Sequence, residues 1–181
     1  MTERITYFRY SGTSIPESEI IYNILSSVFG TVAEEEITID DKRFPTIVEI
    51  HFPVPYGDDF FSLFPLEKWR KFKRVVSEIK KRRGKSQMKI LFSFPGVSGE
   101  YSATARLILQ TSELDYENFE TAIDRVEVLL DLIAVQISNM PTNVLEMTYC
   151  YDSMHSKWRP EFVQTFEDTY YYINNKWETK K

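Results

Sequence analysis

The 181 residues are 43% hydrophobic and 15% aromatic, rich enough in apolar surface to offset chain entropy, which excludes a disordered chain and suits one domain over residues 1–181. Cys150 is the single cysteine, so a disulfide scaffold is excluded. Met1-Thr2-Glu3-Arg4 lacks the apolar stretch of a signal peptide, and no run approaches the roughly 20 apolar residues of a membrane span, so the expected compartment is the reducing cytoplasm.

Ile5 to Tyr10 is β-branched and aromatic and reads as a first strand, with Tyr7 and Arg9 on one face and Phe8 and Tyr10 on the other. Ser14-Ile15-Pro16-Glu17 matches a capping box. The helix behind it carries Ile20, Ile21, Ile24, Leu25 and Val28 at helical spacing and stops at Gly30. Glu36 to Asp40 and Thr46 to Phe52 alternate in polarity and read as a hairpin, and Pro53, Pro55 and Gly57 then break the chain. Leu66 to Arg83 follows as a helix, with Leu66, Trp69, Phe72, Val76 and Ile79 as its inward stripe and Gly84 beyond its end.

Met88 to Phe94 and Tyr101 to Leu109 read as strands around Pro95-Gly96-Val97-Ser98-Gly99. Asp115 caps a long helix whose apolar positions run from Phe119 to Ile137, ending before Pro141. Val144 to Tyr151 is a further strand, Arg159-Pro160 a turn, and Thr169 to Ile173 with Lys176 to Glu178 a hairpin about Asn174-Asn175. The predicted fold is α+β: a ferredoxin-like β-α-β-β-α-β start, extended by β-α-β and a C-terminal hairpin, in a largely antiparallel sheet with helices on one face.

Charge is segregated. Leu66 to Lys85 holds ten basic residues against Glu67 and Glu78, a net +8 that leaves −13 for the rest of a chain whose total is −5. An acidic average weighs against nucleic acid, because Lys and Arg neutralise its phosphates, but this helix concentrates the cations that such contact needs. Its last turn would attract cations through the helix dipole without any ligand. The candidate polyanion-binding residues are Lys68, Arg70, Lys71, Lys73, Arg74, Lys81, Arg82, Arg83 and Lys85. Membrane docking is disfavoured, since Trp69 and Phe72 belong to the inward stripe.

Trp158, Tyr170, Tyr171, Tyr172 and Trp177 form a candidate partner or homodimer surface, because Tyr and Trp combine large contact area with a polar handle. Glu34-Glu35-Glu36 and Asp40-Asp41 add an acidic patch. Gly96-Val97-Ser98-Gly99 has the spacing of a phosphate-approaching loop, yet a hairpin turn explains it more simply. Two histidines and one cysteine leave little for catalysis, and none of the common nucleophile, phosphate-loop or zinc motifs occurs. Glu49 and His51 share a strand face and could meet Asp58, Asp59 or Asp152 at a metal, but the spacing is unspecific. The expectation is a non-catalytic protein without cofactor or metal that binds nucleic acid or another polyanion; the alternative is a protein-interaction, immunity or inhibitor module.

Overall fold

A computed structural model describes residues 4–38, 41–99 and 103–180. The first strand, β1 (Thr6–Ser11), turns into helix α1 (Ile15–Phe29) at Gly12, where a Cβ would fall 1.9 Å from the Pro45 carbonyl oxygen. The capping box forms: the Ser14 amide donates to Glu17 Oε2 and the Glu17 amide to Ser14 Oγ. Beyond Gly30 the chain returns as β2 (Val32–Glu36), parallel to β1, and β3 (Thr46–His51) lies antiparallel on the other side of β1.

Two expectations fail at this point. The hairpin over residues 36–52 does not form, because β1 separates β2 from β3 and the second strand begins at Val32; Asp40 lies outside the described residues. The split βαβ of the ferredoxin-like order, with a strand between the parallel pair, is therefore absent, since α1 returns the chain to the slot directly beside β1.

Helix α2 (Asp58–Leu63) occupies a stretch read as loop, and α3 (Leu66–Arg83) follows with the bounds its apolar stripe predicted. Strand β4 (Met88–Phe94) pairs parallel with β3, and β5 (Arg106–Gln110) antiparallel with β4. The strand expected from Tyr101 starts later, because Ala103 exchanges both backbone bonds with Val97 instead; Tyr101 itself is outside the described residues.

The long helix expected up to Met140 is broken into α4 (Tyr116–Asp124), a 3-10 turn at Arg125–Val128, and α5 (Leu129–Ile137). The Tyr56 hydroxyl donates to the Val126 carbonyl at 2.5 Å, and a side chain entering the backbone ladder is a recognised cause of such a break. Strand β6 (Val144–Asp152) pairs parallel with β5, and β7 (Lys157–Thr165), β8 (Thr169–Ile173) and β9 (Lys176–Thr179) complete an antiparallel meander. Arg159 and Pro160 lie inside β7, not in a turn. Pro160 sits opposite Tyr149 beside a register shift, where a missing N–H is tolerated. The terminal hairpin forms as read, with Asn174 at φ 51° and Asn175 at φ 61°.

Among the described residues the sheet has nine strands in the order β2-β1-β3-β4-β5-β6-β7-β8-β9, mixed but mostly antiparallel. The pairing registers put Phe8, Ile50, Phe92, Leu109 and Tyr149 on one face, all buried. There Phe92 meets Trp69 and Phe72 of α3, and the Trp158 indole donates to the Ala122 carbonyl of α4. The opposite face carries Tyr7, His51, Ser93, Ile108 and Thr148 in one row. On the outermost strand, β2, Glu34, Glu35 and Glu36 are exposed. No helix among the described residues is long and apolar enough to cross a membrane.

Candidate functional site

The α3 stripe seats the helix. Trp69, Phe72, Val76 and Ile79 are buried, and Trp69 packs edge-on against Phe60 and Phe64 while its indole N–H donates to Glu127 Oε1 at 2.8 Å. Leu66, expected in the stripe, is 54% exposed, because it lies at the helix's first position, beyond the reach of the core.

The cations divide into two groups, which the charge count alone does not reveal. Arg83 turns inward and donates to Glu17 Oε1 and Oε2, to Thr46 Oγ1 and to the Gly12 carbonyl, tying α3 to α1 and the β1–α1 turn. Arg82 approaches the same carboxylate at 3.6 Å. Lys73 bridges Asp124 and Glu127; burial would lower its ammonium, but the two carboxylates outweigh that and hold it above its ordinary value. Lys68 donates to the Ser27 carbonyl. These contacts make Lys73 and Arg83 tertiary ties, contrary to their expected place on the binding face. Arg70, Lys71, Arg74, Lys81 and Lys85 are exposed, with no side-chain partner among the described residues. Arg70, Arg74 and Lys81 fall on nearly one line of the helix, spanning about 16 Å at 1.5 Å per residue.

Lys80 departs furthest from the expectation that the cations face water. It is buried, its ammonium donates to the Ser86 carbonyl at 3.1 Å, and burial pushes its pKa down. A lysine that binds its proton less tightly folded than unfolded makes stability rise as pH climbs from the lowered value toward the ordinary 10.5. Lys80→Met is expected to keep the neutral-pH stability within about 1 kcal/mol of the parent, or to raise it. Urea denaturation from neutral to alkaline pH should show the rise in the parent and not in the variant.

Glu49 and His51 do meet, across the face of β3. His51 Nε2 lies 2.5 Å from Glu49 Oε1, and Arg9 donates to Glu49 Oε1 and to Glu35 Oε2. Bonding from His51, aided by Arg9 and opposed by burial, holds the Glu49 carboxyl below its ordinary range. An ionised carboxylate only accepts, so Nε2 carries the hydrogen and Nδ1 is left without a described partner. Among the described residues no group of three or more His, Cys, Asp or Glu could hold a metal ion.

The aromatic set divides by exposure. Trp158 is buried, a correction to its place in that set, because its ring fills the core beside Tyr151. Tyr170, Tyr171, Tyr172 and Trp177 are half-buried; Tyr172 packs on Trp177, and Lys180 lies 4.2 Å over the Tyr171 ring. Phe166, which the sequence did not single out as exposed, is 82% exposed. The Val97 and Ser98 amides bond to the Ala103 and Tyr56 carbonyls, so the glycine loop keeps neither for a phosphate. Burial, with the nearby Glu161, pushes the Cys150 thiol up to about 12, which leaves it un-ionised near neutral pH.

A second locus is a cleft of about 720 Å³ on the sheet face that carries Tyr7 and His51, with Ser93, Arg106, Glu146 and Gln164 in its lining. The chain matches no protein-family model, no curated protein and no solved structure.

Proposed function

We propose that this is a non-catalytic binding protein that docks a nucleic acid or other polyanion along the outer face of α3. The observation that carries the reading is the line of exposed, unpartnered cations Arg70, Arg74 and Lys81, flanked by Lys71 and Lys85. Helix propensity and core packing do not call for them, and solvation alone is met by fewer. Trp69 and Phe72 turn α3 inward against Phe92, which leaves its exposed cations on the side of the helix away from the sheet. A rigid row of point charges tracks a phosphate backbone and reads no sequence.

The experiment is a salt titration of binding to a labelled single-stranded oligonucleotide and to heparin. Replacing Arg70, Lys71 and Arg74 together by Glu is expected to weaken binding to the oligonucleotide at least tenfold and to flatten its salt dependence by about two units of slope. The thermal midpoint should stay within a degree or two, since none of the three has a side-chain partner among the described residues. Binding that is absent in the parent, or unchanged in the variant, overturns the reading.

The alternative, a protein-interaction, immunity or inhibitor module, draws on the exposed acidic strand Glu34–Glu36 and on Phe166. It predicts a protein partner that survives nuclease treatment of the lysate.

A further inference from the structure

The cleft opposite the helices has the makings of a small-molecule site. Its volume of about 720 Å³ lies within the range of ligand pockets, roughly 300–1,000 Å³. It is framed by two neighbouring rows of side chains set by the sheet register: Tyr7, His51 and Ser93 from β1, β3 and β4, and Arg106, Glu146 and Gln164 from β5, β6 and β7. Side chains on packed strands are held more firmly than side chains on loops, so the polar groups need little reorganisation to bind.

Three observations define the ligand. Ser93 is only 4% exposed, lines the cleft, and its hydroxyl has no hydrogen-bond partner among the described residues. That hydroxyl opens onto the cleft and keeps its donor and acceptor capacity for whatever occupies it. Next, Arg106 and Glu146 are direct cross-strand neighbours, yet their charged atoms approach only to 4.0 Å, and the Arg106 side chain is 57% exposed. Both ends of this loose pair keep most of their bonding capacity. Finally, the cleft is lined by one guanidinium and one carboxylate, Arg106 and Glu146, so its fixed charges balance. A simple anion placed on Arg106 would face the Glu146 carboxylate, and a simple cation on Glu146 would face the guanidinium. A molecule with adjacent opposite charges satisfies both.

We infer that the cleft binds a small zwitterion of the α-amino-acid type. Its carboxylate sits on the Arg106 guanidinium and accepts from the Ser93 hydroxyl, its ammonium sits on Glu146, and its side chain lies against Leu145 and Pro95. This use of the sheet face is independent of the polyanion reading of α3.

The test is thermal unfolding of the whole chain against each of the twenty common L-amino acids at millimolar concentration. For the best of them, calorimetry then compares the N-acetyl derivative and the carboxamide. At least one amino acid is expected to raise the midpoint by several degrees. Both derivatives should bind at least tenfold more weakly, because each removes one charge. Arg106→Gln and Ser93→Ala should lower the affinity at least tenfold and about threefold, while leaving the unliganded midpoint nearly unchanged; Arg70→Glu on α3 should have no effect. No shift with any of the twenty, derivatives that bind as well as the parent compound, or variants with full affinity would each overturn the inference.

Discussion

Replacing Glu17 by Ala is expected to cost about 3 kcal/mol, because it leaves the half-buried Arg83 guanidinium without its carboxylate. The same carboxylate caps α1 through the Ser14 amide and draws in Arg82, so one substitution loosens a helix start and the seam between α1 and α3. Burial by itself would raise the Glu17 carboxyl; the Arg83 guanidinium and the Ser14 amide together outweigh it and hold the pKa below the ordinary 4.5. A carboxyl with a depressed folded pKa contributes stability that is complete above the unfolded value and is lost as pH falls through the folded one. The parent should therefore lose stability progressively below about pH 4.5. Glu17→Gln retains a side chain of the same shape, and its stability should depend less on pH in that window. Urea midpoints measured from pH 6 downward decide the matter: parallel curves for parent and Gln variant would rule out the ion pair as the source.

Trp158→Ala should cost about 4 kcal/mol, the usual scale for emptying a buried Trp position, and lower the thermal midpoint by about 10 °C in a chain of this size. The ring fills the core next to Tyr151, and its N–H supplies the Ala122 carbonyl, one of the last four of α4 that the helix cannot bond by itself. Trp158→Phe keeps most of the apolar area and strands that carbonyl, at about 1–2 kcal/mol. A Trp158→Ala protein with a parental melt and a weakened partner contact would restore this residue to an interface.

Elements whose evidence is local were legible. The α3 stripe with its glycine stop fixed Leu66–Arg83, the Ser14 and Glu17 pair fixed the start of α1, and Asn174-Asn175 fixed the last hairpin. What failed depends on partners distant in the chain. Nothing in residues 32–52 says that β1 will lie between β2 and β3, because a strand's alternation defines its faces and not its neighbours. The break at Arg125–Val128 follows a tyrosine seventy positions away. The same limit governs the sites: Lys73 and Arg83 look like solvated cations in the sequence, and only tertiary structure brings Asp124 and Glu17 to them. The cleft was half legible, since Tyr7 and His51 could be assigned a face, but Arg106 and Glu146 become neighbours only through the parallel pairing of β5 with β6.

The open strand β2 has a consequence for how copies of the chain meet. A sheet with two free edges can lengthen by adding strands from other molecules, which is the first step of uncontrolled polymerisation. At β2 a second copy aligned edge to edge would bring three consecutive glutamates against three more, and at the other end β9 offers only four residues, beginning with Lys176. Like charge at one margin and brevity at the other disfavour growth in the plane of the sheet, so the chain resists adding copies of itself strand by strand.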